Sequence, residues 1–187
     1  RNVSQQAGYV ESDALGAADP YSTSKAMADL LTQSWITSFP GPPTAIARAG
    51  NVLGGGDISK DRLMPDLIAA FDAGAQASLR YPDAVRPWQH VLDCLNGYLV
   101  LLDAVTGKAA SGEWNFGPDA DSFRTVRELA DLAANQWGNG ASWSEAGGEH
   151  LHEAELLALD SAKAHRELGW ANVWDFATTV AATIDWH

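Results

Sequence analysis

The stretch Asp19-Pro20-Tyr21-Ser22-Thr23-Ser24-Lys25 sets the reading of this chain. Proline suits the first turn of a helix, where its missing N–H costs nothing, and an aspartate just before it can cap the free amides. Downstream, Met27, Leu30, Leu31, Trp35 and Phe39 recur at helical spacing. A helix is therefore predicted over about 20–38, with these residues as its apolar stripe. Pro40-Gly41-Pro42-Pro43 stops it. On such a helix Tyr21 and Lys25 lie one turn apart on one face. A neighbouring ammonium favours the phenolate form of a tyrosine, and a phenol so placed can take and return a proton. The same spacing also suits an ordinary helix face carrying an aromatic and a lysine, so the pair needs support from other segments.

Working outward, residues 1–19 are polar and glycine-containing and read as loop. Thr44 to Val52 reads as a short buried strand, followed by a flexible turn at Gly54-Gly55-Gly56. A helix is predicted over about 61–73, an edge strand at Leu79-Arg80-Tyr81, a helix over Val91–Val105 despite Gly97, and a strand at Trp114–Gly117. Another helix follows over about 124–137, then a Gly-rich stretch at 138–148, helical segments within Glu153–Leu168, and a last helix over Asp175–Trp186. Alternating strands and helices predict an α/β architecture with a largely parallel sheet. Nowhere does a strand run into a Gly-x-Gly-x-x-Gly turn that opens a helix. Gly54–Gly56 has the wrong spacing for one, so the dinucleotide-cradling turn of a Rossmann domain is not in this sequence.

Composition narrows the class. Apolar residues make up 46% and charged residues 19% of 187, which describes a globular chain rather than a disordered one. Twenty-four acids face 12 Lys and Arg, a formal charge of −12. That excess predicts no nucleic-acid partner and no anionic membrane partner. A phosphate-bearing ligand must then be held by local cations or backbone amides. The single cysteine, Cys94, cannot form an internal disulfide and reads as core filler, which suits a cytoplasmic location. Eight tryptophans without a repeat period read as packing residues with polar edges. His90 and His165 read as structural, and one cysteine with scattered histidines gives no zinc-ligand spacing, so no metal is expected.

The order of segments resembles the C-terminal half of the extended short-chain dehydrogenase/reductase family, and within it the CDP-glucose 4,6-dehydratase group. The motifs that carry this are Gly16-Ala-Ala-Asp-Pro-Tyr21-Ser-Thr-Ser-Lys25 and Ala47-Arg-Ala-Gly-Asn-Val-Leu-Gly-Gly-Gly-Asp57. They continue with Lys60-Asp-Arg-Leu-Met-Pro-Asp66, Val85-Arg-Pro-Trp-Gln-His-Val91, Glu113-Trp-Asn-Phe-Gly-Pro118, and His152-Glu153 ahead of Leu159-Asp-Ser. The resemblance implies an NAD-binding Rossmann-like fold with a small mixed α/β substrate-binding lobe. Residues 1–56 would be the remainder of the Rossmann domain, and 57–187 mainly the lobe, with about 90–118 returning to the Rossmann domain. It implies a nucleotide-sugar substrate, CDP-glucose foremost, whose C4 hydroxyl proton is taken by Tyr21 while NAD accepts hydride from C4. Water then leaves from C6, and the hydride returns there. Lys25 would also bond the nicotinamide ribose, with Ala49, Asn51 and Val52 completing the cofactor contacts. The family's Thr or Ser partner and its elimination residues lie about two dozen positions before the tyrosine. We therefore expect that this chain is a fragment lacking the N-terminal half, inactive by itself. A homodimer is also implied, with Leu31 and Trp35 as contacts between paired helices.

For the substrate, Arg86 is the leading candidate for a diphosphate contact, because a guanidinium matches phosphate oxygens in a bidentate way. Its alternative is a surface arginine paired with Asp83 or Asp93. Asn51 can donate its amide to the same phosphates or serve as a turn residue. Asp61-Arg62-Leu63 opens a helix whose free amides favour an anion, although Arg62 also suits a solvated charge. Leu79, Arg80 and Tyr81 resemble the stretch bordering the base, where Tyr81 stacks on cytosine or packs in the lobe. His152 and Glu153 match a late substrate-binding segment, with His150 offering a second register. Two other readings stay open. One is a 4-epimerase, or a 4,6-dehydratase of GDP- or dTDP-sugars. The other is a non-catalytic piece that binds nucleotide sugar.

Overall fold

Capping chemistry starts the first helix where the sequence places it. In a computed structural model, which describes residues 8–16, 19–148 and 154–187, the Asp19 carboxylate accepts a 2.8 Å hydrogen bond from the Ser22 amide. That bond holds the Asp19 carboxyl below the usual range. Helix α1 spans Pro20–Ser38 with Pro20 in its first turn. Its apolar stripe behaves otherwise than predicted, because no residue of α1 is buried. Leu31 is 69% and Trp35 60% exposed, and Met27, Leu30 and Phe39 are exposed too. The helix is tied down on its polar side, where Arg48 makes a two-nitrogen contact with Asp29 at 2.7 and 3.0 Å.

The strand expected over 44–52 is broken. Strand β1 (Ala45–Ala49) and β2 (Asn51–Leu53) flank Gly50 and belong to different sheets. The reason is local: a Cβ at Gly50 would lie 2.8 Å from Pro87 Cγ, so only glycine lets the chain cross there. Helix α2 (Leu63–Asp72) follows, then β3 (Ala77–Leu79), β4 (Val85–His90), α3 (Val91–Thr106) and β5 (Gly112–Phe116). After a 3-10 turn at Ala120–Ser122 come β6 (Phe123–Thr125), α4 (Val126–Trp137), β7 (Trp143–Glu145), α5 (Ala162–Leu168) and α6 (Phe176–Asp185).

Four segments depart from expectation. The strand near 79–81 ends at Leu79, leaving Arg80 and Tyr81 beyond it. The Gly-rich stretch contains β7, which supplies the parallel partner of β3. Strand β4, quoted only as a motif, is the centre of a β2-β4-β6 sheet. The region expected to be helical up to 168 is helical only in α5. Ahead of it, Leu156 bridges to Val85, and Leu159 bridges to Tyr9 in the N-terminal loop.

Two cores result. One gathers Leu53 with α2 (Met64, Leu67, Ile68, Phe71), α4 (Leu129, Ala130, Ala133) and α6 (Val180, Ile184). A fully buried leucine such as Leu67 or Leu129 contributes about 1.5–3 kcal/mol. The other core packs Leu101 and Val105 of α3 with Trp114 and Phe116 of β5, joined by Ala164 and Trp170. Here β1 and β5 pair in parallel, with α3 in the connection between them. Gly97 is required in α3, since a Cβ would meet the Phe116 ring at 2.5 Å. Cys94 is buried beside Tyr98, and burial pushes its thiol up. Trp88, Trp114 and Trp170 are buried and Trp143 is half-buried, and each donates its indole N–H, to Arg124 O, Ser111 O, Asp93 O and Asp131 Oδ1 respectively. No helix among the described residues is long and apolar enough to cross a membrane.

Candidate functional site

A cleft of about 330 Å³ opens between β2, the first turn of α2 and the ends of β3 and β4. Parallel strands commonly deliver ligand-binding residues at their carboxyl ends, and β2 does so here with Asn51, Val52 and Gly54 on the wall. The approach to α2 contributes Asp61 and Arg62, and its first residue contributes Leu63. The N-cap residue of α2 is Arg62, whose side chain makes no capping bond, which leaves the Leu63 and Met64 amides of the first turn without a cap from it, while Pro65 carries no N–H. Arg80 and Tyr81 enter from the end of β3, and Arg86 and Trp88 from β4. Arg86 is only 6% exposed, and its Nη1 donates to Val85 O at 2.8 Å. The carboxylates named as its alternative partners are engaged elsewhere. Asp83 pairs with Arg127 at 3.0 Å, and Asp93 accepts the Val173 and Trp174 amides at 3.1 Å each.

Eight residues singled out from the sequence therefore meet in one cleft: Asn51, Val52, Asp61, Arg62, Leu63, Arg80, Tyr81 and Arg86. Three arginines, Arg62, Arg80 and Arg86, face three carboxylates in the cleft, so its formal charge is balanced within a chain that is acidic overall. Besides Asp61, these acids are Asp57 and Asp66. Burial, reinforced by Asp61, pushes the Asp66 carboxyl up, and Arg80 opposes the shift. The hydrogen bond from Ser59 holds Asp57 down. Neither acid was assigned a role from the sequence. Asp66 lies four residues after Arg62, one turn along the same face of α2, and that spacing was the available signal.

Other candidates sit apart. Ala49 ends β1, paired with Phe116, and does not line the cleft. Tyr21 and Lys25 share one face of α1, with Lys25 Nζ 5.6 Å from the Tyr21 ring centroid. Both are exposed, Tyr21 at 67%, and neither lines this cleft or the smaller one beside Tyr9 and Arg48. His152 and Glu153 lie outside the described residues. His90 is structural: its Nδ1 accepts the Leu92 amide at 3.2 Å as the N-cap of α3, and its ring stacks on Trp174 at 4.0 Å.

Known proteins are similar to this chain in sequence and in fold. The CDP-glucose 4,6-dehydratase of Salmonella typhimurium is 41% identical over 96% of this chain and 53% of its own length. A dTDP-glucose 4,6-dehydratase of Streptomyces griseus is 30% identical over 98% of this chain and 54% of its own. Among solved structures, the dTDP-glucose 4,6-dehydratase of Streptomyces venezuelae, with NAD and TYD bound, superposes with a TM-score of 0.82 at 26% identity. That match covers 96% of this chain and 54% of the other. The UDP-glucuronic acid 4-epimerase of Bacillus cereus shares the fold, with a TM-score of 0.79 at 17% identity over 98% of this chain and 59% of the other. The chain thus spans about half the length of the curated relatives it matches. Its α/β fold is that of the Rossmann-like extended short-chain dehydrogenase/reductases, as the motifs implied. Residues 2–117 match the NAD dependent epimerase/dehydratase family, and this chain belongs to it.

Proposed function

We propose that this chain is the catalytic and substrate-binding part of an NAD-dependent nucleotide-sugar 4,6-dehydratase whose substrate is CDP-glucose. The observation that carries the reading is 41% identity to a CDP-glucose 4,6-dehydratase over 96% of the chain. The dTDP-glucose relatives named above stand at 30% and 26%, which favours cytidine. The cleft supports the ligand class. A buried guanidinium, two further arginines and the uncapped start of α2 converge where a diphosphate needs charge-assisted donors. Tyr81 supplies an aromatic face for the base.

The exposed phenol and ammonium of Tyr21 and Lys25 fit the polar nicotinamide-ribose end of NAD, because Lys25 offers three donors beside a hydroxyl. The sequence holds no Gly-rich strand-to-helix turn for the other end of the cofactor. When bound, NAD supplies a reversible hydride acceptor. The Lys25 ammonium favours the phenolate form of Tyr21, whose Oη takes the proton of the sugar C4 hydroxyl and becomes the phenol. Arg86 and the α2 amides hold the diphosphate so that only the hexose reaches Tyr21. The carbonyl formed at C4 acidifies C5–H, which lets the C6 hydroxyl leave as water. In this assignment residues 1–56 and about 90–118 form the dinucleotide side, and the rest forms mainly the substrate lobe. The protein works as a homodimer in the cytoplasm.

The test is to incubate the protein carrying this chain with NAD and CDP-glucose and to follow the alkali-induced absorbance of a 4-keto-6-deoxy sugar. Product from CDP-glucose, with little from dTDP-glucose, supports the proposal. A folded, NAD-loaded protein that makes none refutes it.

A further inference from the structure

Each of the three glycines that follow β2 is crowded by a neighbouring side chain. A Cβ on Gly54 would lie 2.6 Å from Val91 Cγ1. One on Gly55 would lie 2.1 Å from Trp186 Cγ and 2.5 Å from Trp186 Cβ. At Gly56, where φ is +77°, it would meet the far edge of the same indole at 3.1 Å. The turn is thus clasped between the start of α3 and the residue that caps the C-terminus of α6.

Trp186 is held in place from behind. Thr183 and Ile184 just before it are buried in the core shared with α2 and α4. Asp185 Oδ1 accepts a 3.1 Å hydrogen bond from Gln136 Nε2 of α4. Trp186 as a residue is 65% exposed, so it packs on the turn without being part of the core. What it covers leads directly into the cleft. Gly54, Asp57, Asp61 and Arg62 form one wall, and every residue from 55 to 62 is exposed. That wall includes Asp61 in the left-handed region at φ 59°, which aspartate enters more readily than most non-glycine residues.

We propose that Trp186 is a positioning residue: by packing on Gly55 and Gly56, its indole holds the 57–62 wall of the cleft in the arrangement that takes a nucleoside diphosphate. The ligand class rests on the nucleotide-sugar reading above, whereas the clasp rests on the packing alone. Without the ring, three consecutive glycines regain their backbone freedom. The competent fraction of the cleft falls, and the apparent dissociation constant rises in inverse proportion.

The experiment compares the unaltered protein with Trp186→Ala, Trp186→Phe, Gly55→Ala and the Gly55→Ala/Trp186→Ala pair. Amide hydrogen exchange over 55–62 is read without ligand, and CDP binding by calorimetry. In Trp186→Ala the exchange of 55–62 rises and CDP binds about tenfold more weakly, while the thermal midpoint stays nearly unchanged. Trp186→Phe recovers most of the affinity. Gly55→Ala, whose backbone is not left-handed, evicts the indole and weakens CDP to the same degree. The pair is no weaker than either single change, because both remove one contact. Unchanged exchange in Trp186→Ala, CDP affinity within about twofold of the unaltered protein, or additive losses in the pair would each overturn the proposal. If the unaltered protein binds no CDP, the nucleotide-sugar reading fails, and hydrogen exchange still decides whether the clasp exists.

Discussion

A guanidinium that is 6% exposed, as at Arg86, has lost most of its water and must find its donors' partners in the protein or in a ligand. Its setting in β4, with the following Pro87, Trp88, Gln89 and His90 also buried, keeps its position rigid. Arg86→Lys retains the charge but loses the planar fork. CDP affinity should fall about 10- to 100-fold by calorimetry, the cost of a charge-assisted hydrogen bond, with little change in a parallel melting curve. Tyr21 tests the chemistry rather than the binding. Tyr21→Phe should lower turnover of CDP-glucose by about 100- to 10,000-fold while the CDP dissociation constant holds. A variant that turns over normally removes Tyr21 as the base. Both side chains could be named from their motifs, because a cation in an acidic chain and a Tyr-Lys pair one turn apart are statements about residue type. Arg86's burial could not be read that way, since it depends on β2 and β6 pairing on either side of β4.

At the scale of elements, the start of α3 carries a pH sensor. His90 caps the helix with an Nδ1 that accepts from the Leu92 amide, which requires the neutral ring. Burial lowers its pKa below the usual ~6.5, and Asp93 opposes the shift. A folded-state pKa that is depressed means that the unfolded chain binds the proton more readily. The stabilising contribution is complete above pH ~6.5 and is lost as pH falls through the depressed folded value. Denaturant titrations from pH 7.5 down to 5 should show this loss, and His90→Asn, which keeps a capping oxygen but does not titrate, should flatten the slope. Helix α4 shows how much capping can be read locally: Thr125 and Glu128 form a reciprocal capping box. Thr125→Ala should cost about 1 kcal/mol of stability in a thermal or urea melt. The positions of α1, α3, α4 and α6, each started by a side-chain cap, were legible, whereas the expectation of helix over 153–168 held only for uncapped α5. Strands β4, β6 and β7 were not legible, because three to six residues carry little period and their partners lie up to 66 positions away, as Ala77 does from Trp143.

At the scale of the whole molecule, α1 and α3 leave large apolar side chains uncovered. Leu31 and Trp35 project from α1, and Leu92, Leu95, Leu99 and Leu102 from α3. Exposed apolar surface of this extent marks an interaction site. With α1 as the homodimer contact, the combined Leu31→Glu and Trp35→Glu change should shift the protein to monomers in sedimentation velocity. A dimer that persists would assign the interface to another face.

Local chemistry in the sequence was enough to specify the Asp19 cap of α1, the approximate spans of α1, α2, α3, α4 and α6, the Tyr21–Lys25 juxtaposition and the cationic motif around Arg86. Each depends on side chains a few residues apart, where helix geometry is the same in any fold. Tertiary structure alone decided that β1 and β2 part at Gly50, that eight scattered residues share one cleft, and that Trp186 closes over Gly55. Those outcomes arise from close packing between segments as distant as positions 55 and 186, and no local spacing encodes such contacts.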